Sequence, residues 1–311
     1  MYDTIVIGGG PGGVAATVYA ARKKLKTLTI AESFGGQSAV SAEIFNWIGT
    51  VSIPGSELAS NLEKHARAQE GIDIKTERAE KVEEIEGGFK VTTDKGSYDT
   101  HTIIVTSGSR RRKLGIPGEE EFNGKGVAYC STCDAPVFAG QKVAVVGGGN
   151  AGLEAVRDLI PYASEIYLLE YADTIKGDPI TFEAIKKSDK FKGAITNAQT
   201  LEVIGDKFVT GLKYKDKVSG EEKTLDVTGI FVEIGAVPNS EFLGDLVEKN
   251  KYGEITIDHK TAATSKDGIW AAGDVTDEMY KQNNISVGDA VKAALSAYQY
   301  IQQKEKAHRN E

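Results

Sequence analysis

Apolar positions along this chain come in short bounded runs that end in glycine, and the same succession of runs occurs twice. The first begins with Thr4 to Ile7, which predicts a buried strand of the parallel-sheet type. A glycine-rich turn follows, then a small-residue helix from about Pro11 to Lys23 and a second strand from Thr27 to Ala31. From Lys81 the pattern becomes a meander: a run to Ile85, a Gly87-Gly88 turn, Phe89 to Thr93, and an apolar strand from Thr102 to Thr106 closed by Gly108. The order then returns with a strand Lys142 to Val146, a glycine turn, a helix Ala151 to Ile160 and a strand Ile166 to Leu169. A meander around Ser219-Gly220 and an apolar strand Gly229 to Ile234, closed by Gly235, complete the second set.

The spacing between matching landmarks points to an internal duplication. Gly8 and Gly147 are 139 positions apart, Glu32 and Glu170 are 138 apart, and Gly108 and Gly235 are 127 apart. Beyond Phe242 there is a short strand Glu254 to Ile257, a strand Ile269 to Ala272, a helix from about Ser286 to Gln303 and a polar tail, Lys304 to Glu311, expected to be solvated or frayed. This remainder is too short for a domain and is expected to return to the first module. The predicted fold class is α/β, with two Rossmann-like dinucleotide-binding domains of three-layer ββα architecture, the second inserted into the first. The expected bounds are 1–114 and 241–311 for the split domain and 115–240 for the inserted one, with Gly115-Ile116-Pro117-Gly118 and Gly235-Ala236-Val237-Pro238-Asn239 as hinge-like crossings.

Both glycine turns fit G-x-G-x-x-G between a strand and a helix. In the first, Gly8 allows the turn, Gly10 lets the backbone approach a pyrophosphate, and Gly13 allows close helix packing, with Pro11 opening the helix. Glu32, at the end of the following strand, suits a ribose diol. Gly147, Gly149, Asn150 and Gly152 repeat the turn, and Glu170 repeats the acid. The closing glycines Gly108 and Gly235 join these among the expected cofactor-binding positions. Two such turns imply two dinucleotides, and the economical use of two is to pass a hydride from a nicotinamide to a flavin.

Cys130 and Cys133 are the two cysteines of the chain, four positions from first to last, and can close a small reversible disulfide. A zinc site would need two more ligands, and His65, His101, His259 and His308 lack ligand spacing, so no metal is expected. Asp134 is either a helix cap or the group that shuttles the proton dithiol chemistry requires. The basic run Arg110-Arg111-Arg112-Lys113 reads as a solvated loop, and Trp47 and Trp270 as packing residues.

Composition narrows the partners. With 37 basic and 45 acidic side chains the formal charge is −8, which disfavours nucleic acid and anionic membranes. The start has no basic region before an apolar stretch, and no run approaches the roughly 20 apolar residues that span a bilayer, so the expected location is the cytoplasm. The length of 311 residues and 40% apolar content suffice for two domains with their own cores.

With these pieces in place the chain resembles the low-molecular-weight thioredoxin reductase family, and within it the flavoprotein portion of the alkyl hydroperoxide reductase F proteins. The resemblance runs over essentially the whole length. It rests on both glycine turns, Gly35-Gly36-Gln37, Asn46-Trp47, Cys130 to Cys133 with Asp134, Gly273-Asp274 and Tyr280-Lys281-Gln282. It implies FAD in the split domain, held by Gly8, Gly10, Gly13, Glu32, Gly36, Gln37 and Asn46, by Gly273 and Asp274, and by Lys281 and Gln282 at the start of the last helix. It also implies a reduced nicotinamide in the inserted domain. Electrons would pass from nicotinamide to FAD, to the Cys130-Cys133 disulfide, and then to a thioredoxin-like or glutaredoxin-like protein. Cys133 would lie nearest the flavin. Relatives are homodimers whose inserted domain rotates between the half-reactions. The fused N-terminal thioredoxin-like domains of the peroxide reductase flavoproteins do not occur in this sequence, which points to an acceptor on another protein. Ser131, Thr132 and Ala135 depart from the commoner residues around the pair.

NADH is expected in preference to NADPH. No arginine follows closely after Glu170, Lys176 is the nearest cation in sequence, and NADPH-using thioredoxin reductases carry a His-Arg-Arg cluster here. The competing readings are a flavin NADH oxidase, a ferredoxin-linked thioredoxin reductase, and a redox-sensing flavoprotein without turnover. The intact cysteine pair opposes the first, the complete second glycine turn gives no reason to adopt the second, and both together oppose the third.

Overall fold

The computed structural model describes residues 1–41 and 44–309. The chain divides into two compact units, Met1–Arg110 with Val237–Glu311, and Arg111–Ala236.

The first unit opens with β1 (Tyr2–Ile7), α1 (Pro11–Arg22) and β2 (Thr27–Ala31), then α2 (Gly55–Arg67) and β3 (Ile72–Thr76). The meander is β4 (Ala79–Ile85), β5 (Gly88–Thr93) and β6 (Ser97–Val105), and β7 (Ser109–Arg111) leads out of the unit. β1 and β2 are almost wholly buried, as parallel strands covered on both faces must be, which explains why Thr4–Ile7 and Thr27–Ala31 carry only apolar and threonine side chains.

The second unit contains β8 (Val127–Ala128), α3 (Ser131–Asp134), β9 (Lys142–Val146), α4 (Asn150–Leu159), β10 (Glu165–Leu169), α5 (Pro179–Ile185) and β11 (Phe191–Ile195). β12 (Ala198–Gly205), β13 (Val209–Asp216), β14 (Glu222–Leu225) and β15 (Gly229–Val232) follow, and β16 (Ala236–Pro238) carries the chain back. β17 (Ile269–Ala271) and α6 (Asn283–Arg309) then complete the first unit.

Among the described residues the two sheets repeat one order. In the first unit β3-β2-β1-β6 run side by side, with β17 parallel to β6; in the second β11-β10-β9-β15 do so, with β8 parallel to β15. The duplication read from spacing is therefore a duplicated topology. The units differ in the meander: β5 and β4 extend the first sheet, whereas β12-β13-β14 form a separate three-stranded sheet.

Each unit has its own core. In the first, Ile5, Leu28, Ile103 and Ile269 pack with Phe89 and Val91 of the meander on one face. On the other face Val6, Ile104 and Trp270 meet Ala16 of α1 and Ala290, Ala293, Ala294 and Ala297 of α6. Alanine at these positions lets the two helices lie close against the sheet and each other. Trp47 is partly buried against the cluster that includes Val14, Leu58 and Leu62. In the second unit Val143, Val145, Leu153, Leu168 and Phe231 fill one side of the sheet, and Val146, Leu169, Leu212 and Ile230 the other.

Three readings change. Glu254 to Ile257 is not a ladder strand: Ile255 makes single bridges to Lys249 and Thr276, and Ile255 and Ile257 are held by side-chain burial instead. The last helix starts three residues earlier than expected and runs to Arg309, because Ser286 already donates to the Gln282 carbonyl and the segment after Gln303 is built of good helix formers. Asn310 and Glu311 lie outside the described residues. Finally, α2 was not anticipated; it shows an amphipathic pattern, burying Leu58, Leu62 and Ala66.

Candidate active site

The first glycine turn forms the floor of a cleft of about 720 Å³ in the first unit, a size within the range of small-molecule sites. Gly8 has φ +128°, and a Cβ there would stand 2.2 Å from the Thr106 carbonyl oxygen, so turn and close approach both require glycine. Gly10 caps α1, whose first turn carries Pro11, so free N–H groups face the cleft. Gly13 is buried inside the helix against the turn rather than lining the cleft. Glu32, Gly36, Gln37, Gly108, Gly273 and Asp274 line it. Arg78, close enough to Glu32 to feel its charge, also lines it, with Ser38, Asn239 and Asn283.

Other expected residues hold the rim. Gln37 donates from Nε2 to the Ser109 carbonyl at 2.5 Å. Asn46 donates to Gln282 Oε1 at 3.1 Å and accepts at its carbonyl from Asn284 at 2.7 Å, while Ser38 donates to Asn283 at 3.0 Å. The loop after β2 is thereby tied to the start of α6 across more than two hundred residues. Lys281 pairs with Glu254 at 3.0 Å and donates to the Thr276 carbonyl at 2.5 Å. Neither Asn46, Lys281 nor Gln282 lines the cleft itself.

The second turn repeats this construction. Gly149 caps α4. Gly152 lies so close to the turn that a Cβ would be 1.7 Å from the Gly147 carbonyl oxygen. Gly152→Ala is therefore expected to destabilise this unit by about 1–3 kcal/mol through overpacking, read as a lowered melting temperature; an unchanged one would contradict this contact. Asn150 is engaged within the fold, its Oδ1 accepting from the Asp178 N–H at 2.8 Å. Gly235 accepts from the Arg112 N–H at 3.0 Å.

Both carboxylate oxygens of Glu170 are used. Oε2 accepts from Gly148 N–H at 2.5 Å and Oε1 from Ala172 N–H at 2.7 Å, which fixes the carboxylate against the glycine turn. Sequence order named Lys176 as the nearest cation, but folding brings up another. Lys217, just after β13, donates to the Tyr171 carbonyl at 3.1 Å and stands 3.6 Å from the centre of its ring.

Cys130 and Cys133 form a disulfide. Cys130 precedes α3 and its carbonyl accepts from the Asp134 N–H at 3.0 Å. The cap reading of Asp134 finds no support, since its side chain makes no capping bond to the short helical turn that follows. Burial pushes its carboxyl up to about 6, against the pull of the Arg111 guanidinium. A carboxyl raised in this way next to Cys133 can exchange protons with the thiols that reduction of the disulfide would yield.

The basic run is not a simple solvated loop. Arg110 pairs with Glu241 at 2.6 Å and with Asn239 at 2.9 Å, Lys113 pairs with Glu120, and Arg111 faces the carboxyls near the disulfide. Glu233, one of those carboxyls, was missed by sequence reasoning; the only available signal was an acid inside an otherwise apolar strand segment, Phe231 to Ile234.

Among the described residues, no helix is long and apolar enough to cross a membrane. The family model for pyridine nucleotide-disulphide oxidoreductases matches residues 2–300. The alkyl hydroperoxide reductase F protein of Staphylococcus aureus (strain NCTC 8325 / PS 47) is 43% identical over 302 residues, 96% of this chain and 59% of that protein. A Bacillus subtilis (strain 168) protein named NADH dehydrogenase is 41% identical over 301 residues, 96% of this chain and 58% of that protein. The chain thus spans less than two thirds of the length of these curated relatives. The crystal structure of thioredoxin reductase from Streptococcus pyogenes MGAS5005 superposes with a TM-score of 0.90 at 30% identity, covering 97% of this chain and 99% of that one. A family match over nearly the whole length, and relatives above 40% identity, lead to one conclusion: the chain belongs to the pyridine nucleotide-disulphide oxidoreductase family, among its thioredoxin reductase-like flavoproteins.

Proposed function

We propose that this chain is a flavin-dependent disulfide reductase that takes electrons from NADH and delivers them, through Cys130 and Cys133, to the disulfide of a thioredoxin-like or glutaredoxin-like protein. The observation that carries this reading is the Cys130–Cys133 disulfide with the half-buried Asp134, its carboxyl raised to about 6, next to it, in a unit that has its own dinucleotide-type glycine turn.

The first unit would hold FAD. The start of α1 at Gly10 and Pro11 offers N–H groups to a pyrophosphate, Glu32 offers a carboxylate to ribose hydroxyls, and Gln37 and Asp274 line the same cleft. When bound, the flavin supplies two-electron chemistry between a reduced nicotinamide and a disulfide. The start of α4 and Glu170 would hold the nicotinamide nucleotide. Once reduced, one cysteine attacks the partner's disulfide as thiolate, a mixed disulfide forms, and the second cysteine displaces the partner as a dithiol. Asp134 gives and takes the proton that accompanies each change between thiol and thiolate.

The flavin released by heat denaturation is expected to be FAD; release of FMN, or of no flavin, would refute the assignment of the first cleft. The family resemblance supports a homodimer working in the cytoplasm, and light scattering on the purified protein tests the oligomeric part. The whole reading is tested by titrating the protein with NADH and NADPH while supplying oxidised thioredoxin-like and glutaredoxin-like proteins. Flavin reduction without reduction of any protein disulfide would count against it.

A further inference from the structure

Ser131 and Thr132, the two residues enclosed by the cysteine pair, have no task in the proposed electron path, yet both side chains are engaged. The Ser131 hydroxyl donates to Asp158 Oδ2 at 3.0 Å, and the Thr132 hydroxyl donates to the same oxygen at 3.1 Å. Serine and threonine hydroxyls usually bond to backbone groups close by in sequence. Here they reach across 27 and 26 positions to one carboxylate on α4.

Asp158 stands on a fixed element. Its neighbours on α4, Val156 and Leu159, are fully buried in the same core cluster as Ala135 and Phe138, which follow the disulfide. Close packing holds the helix and this segment together. Asp158 also stands in the last turn of α4, where the carbonyl end of the helix disfavours a carboxylate. The two hydroxyls supply the donors that offset this conflict. A residue set against its own helix, and rescued by the residues between two cysteines, marks a functional constraint rather than a helix-forming choice.

The chemistry of the pair gives this anchor its task. Reducing the Cys130–Cys133 disulfide breaks the S–S bond and takes up two electrons and two protons, leaving two thiols. Unbonded sulfurs cannot stand as close as bonded ones, so the turn that carries them must open on reduction. Ser131 and Thr132 are the middle of that turn, and Asp158 holds both. Resting on the disulfide reductase reading, we propose that Asp158 is a positioning residue for the dithiol: by clamping Ser131 and Thr132 to α4 it resists opening of the turn and favours the disulfide over the two thiols. The reduced pair is thereby a stronger reductant toward a partner's disulfide.

The test is the equilibrium between disulfide and dithiol in the FAD-containing protein. It is set with mixtures of reduced and oxidised dithiothreitol, quenched with acid, and read by mass spectrometry after alkylation of the free thiols. Asp158→Ala releases both hydroxyls. Losing the restraint of about one hydrogen bond should move the equilibrium toward the dithiol by about threefold to tenfold, a midpoint potential less negative by about 15–30 mV. Asp158→Asn keeps an oxygen that accepts from both hydroxyls but removes the charge, so it should restore the unmutated equilibrium. An equilibrium that is unmoved in Asp158→Ala, or moved toward the disulfide, would overturn the proposal. So would equal shifts in both variants, which would make charge, not the clamp, responsible. Ser131→Ala combined with Thr132→Val removes the same two bonds from the other side and should shift the equilibrium as Asp158→Ala does. This variant decides the matter if Asp158→Ala does not fold, and an unmoved equilibrium in it would overturn the proposal. Neither nicotinamide nor a partner protein takes part, so failure here is distinct from failure of the disulfide reductase reading.

Discussion

Replacing Cys130 or Cys133 by serine is expected to abolish electron delivery to a protein disulfide while leaving reduction of the flavin by NADH nearly intact. The two cysteines are each other's disulfide partner, and no free cysteine is present among the described residues to stand in. A serine hydroxyl is not a thiol: it closes no disulfide, and neither the mixed disulfide nor its resolution can proceed with one sulfur missing. The glycine turns and Glu170 make no use of either sulfur, so nucleotide binding should persist. Anaerobic mixing with NADH, followed by addition of an oxidised thioredoxin-like protein, separates the two half-reactions. Full protein-disulfide reduction by either variant would rule out the pair as the relay.

A preference for NADH over NADPH of about fivefold to nearly a thousandfold is the second expected result. The Glu170 carboxylate is held by the Gly148 and Ala172 N–H groups. An ionised carboxylate has about four acceptor sites, so two bonds leave capacity for the two hydroxyls of a ribose. A 2′-phosphate would meet that negative charge at short range, at a cost of about 1 to 4 kcal/mol even in well-screened surroundings. Lys217 over Tyr171 is the countervailing feature, together with exposed Lys176, and it softens the discrimination without adding the planar, bidentate contact of an arginine. Glu170→Gln should narrow the preference, and Lys217→Met should widen it. Catalytic efficiencies of flavin reduction with each nucleotide decide the matter: equal values, or better use of NADPH, would show that Glu170 does not read the ribose.

The parts of this protein that could be read without a structure are those governed by neighbours in sequence. A strand, a tight glycine turn and the start of a helix lie within about twenty residues, so β1, α1 and β2, and then β9, α4 and β10, show directly in periodicity and glycine spacing. The cysteine pair shows for the same reason. The strand expected at Glu254 to Ile257 failed because an apolar run says that side chains are buried, while a ladder requires consecutive pairing, and the neighbours of Ile255 give only single bridges, to Lys249 and Thr276.

What tertiary structure alone decided is the surroundings of each reacting group. Nothing near Cys130 in sequence announces Arg111, Asp158 or Glu233, which arrive from β7, α4 and the end of β15. Lys217 reaches Tyr171 across 46 positions, and Asn46 finds Gln282 across 236. Sequence alone determined which groups could do chemistry here: two glycine turns, their acids, a dithiol and its aspartate. The fold raised the Asp134 carboxyl above the usual range and set the partners of the others, because burial and the approach of distant groups depend on three-dimensional packing, which local spacing does not encode.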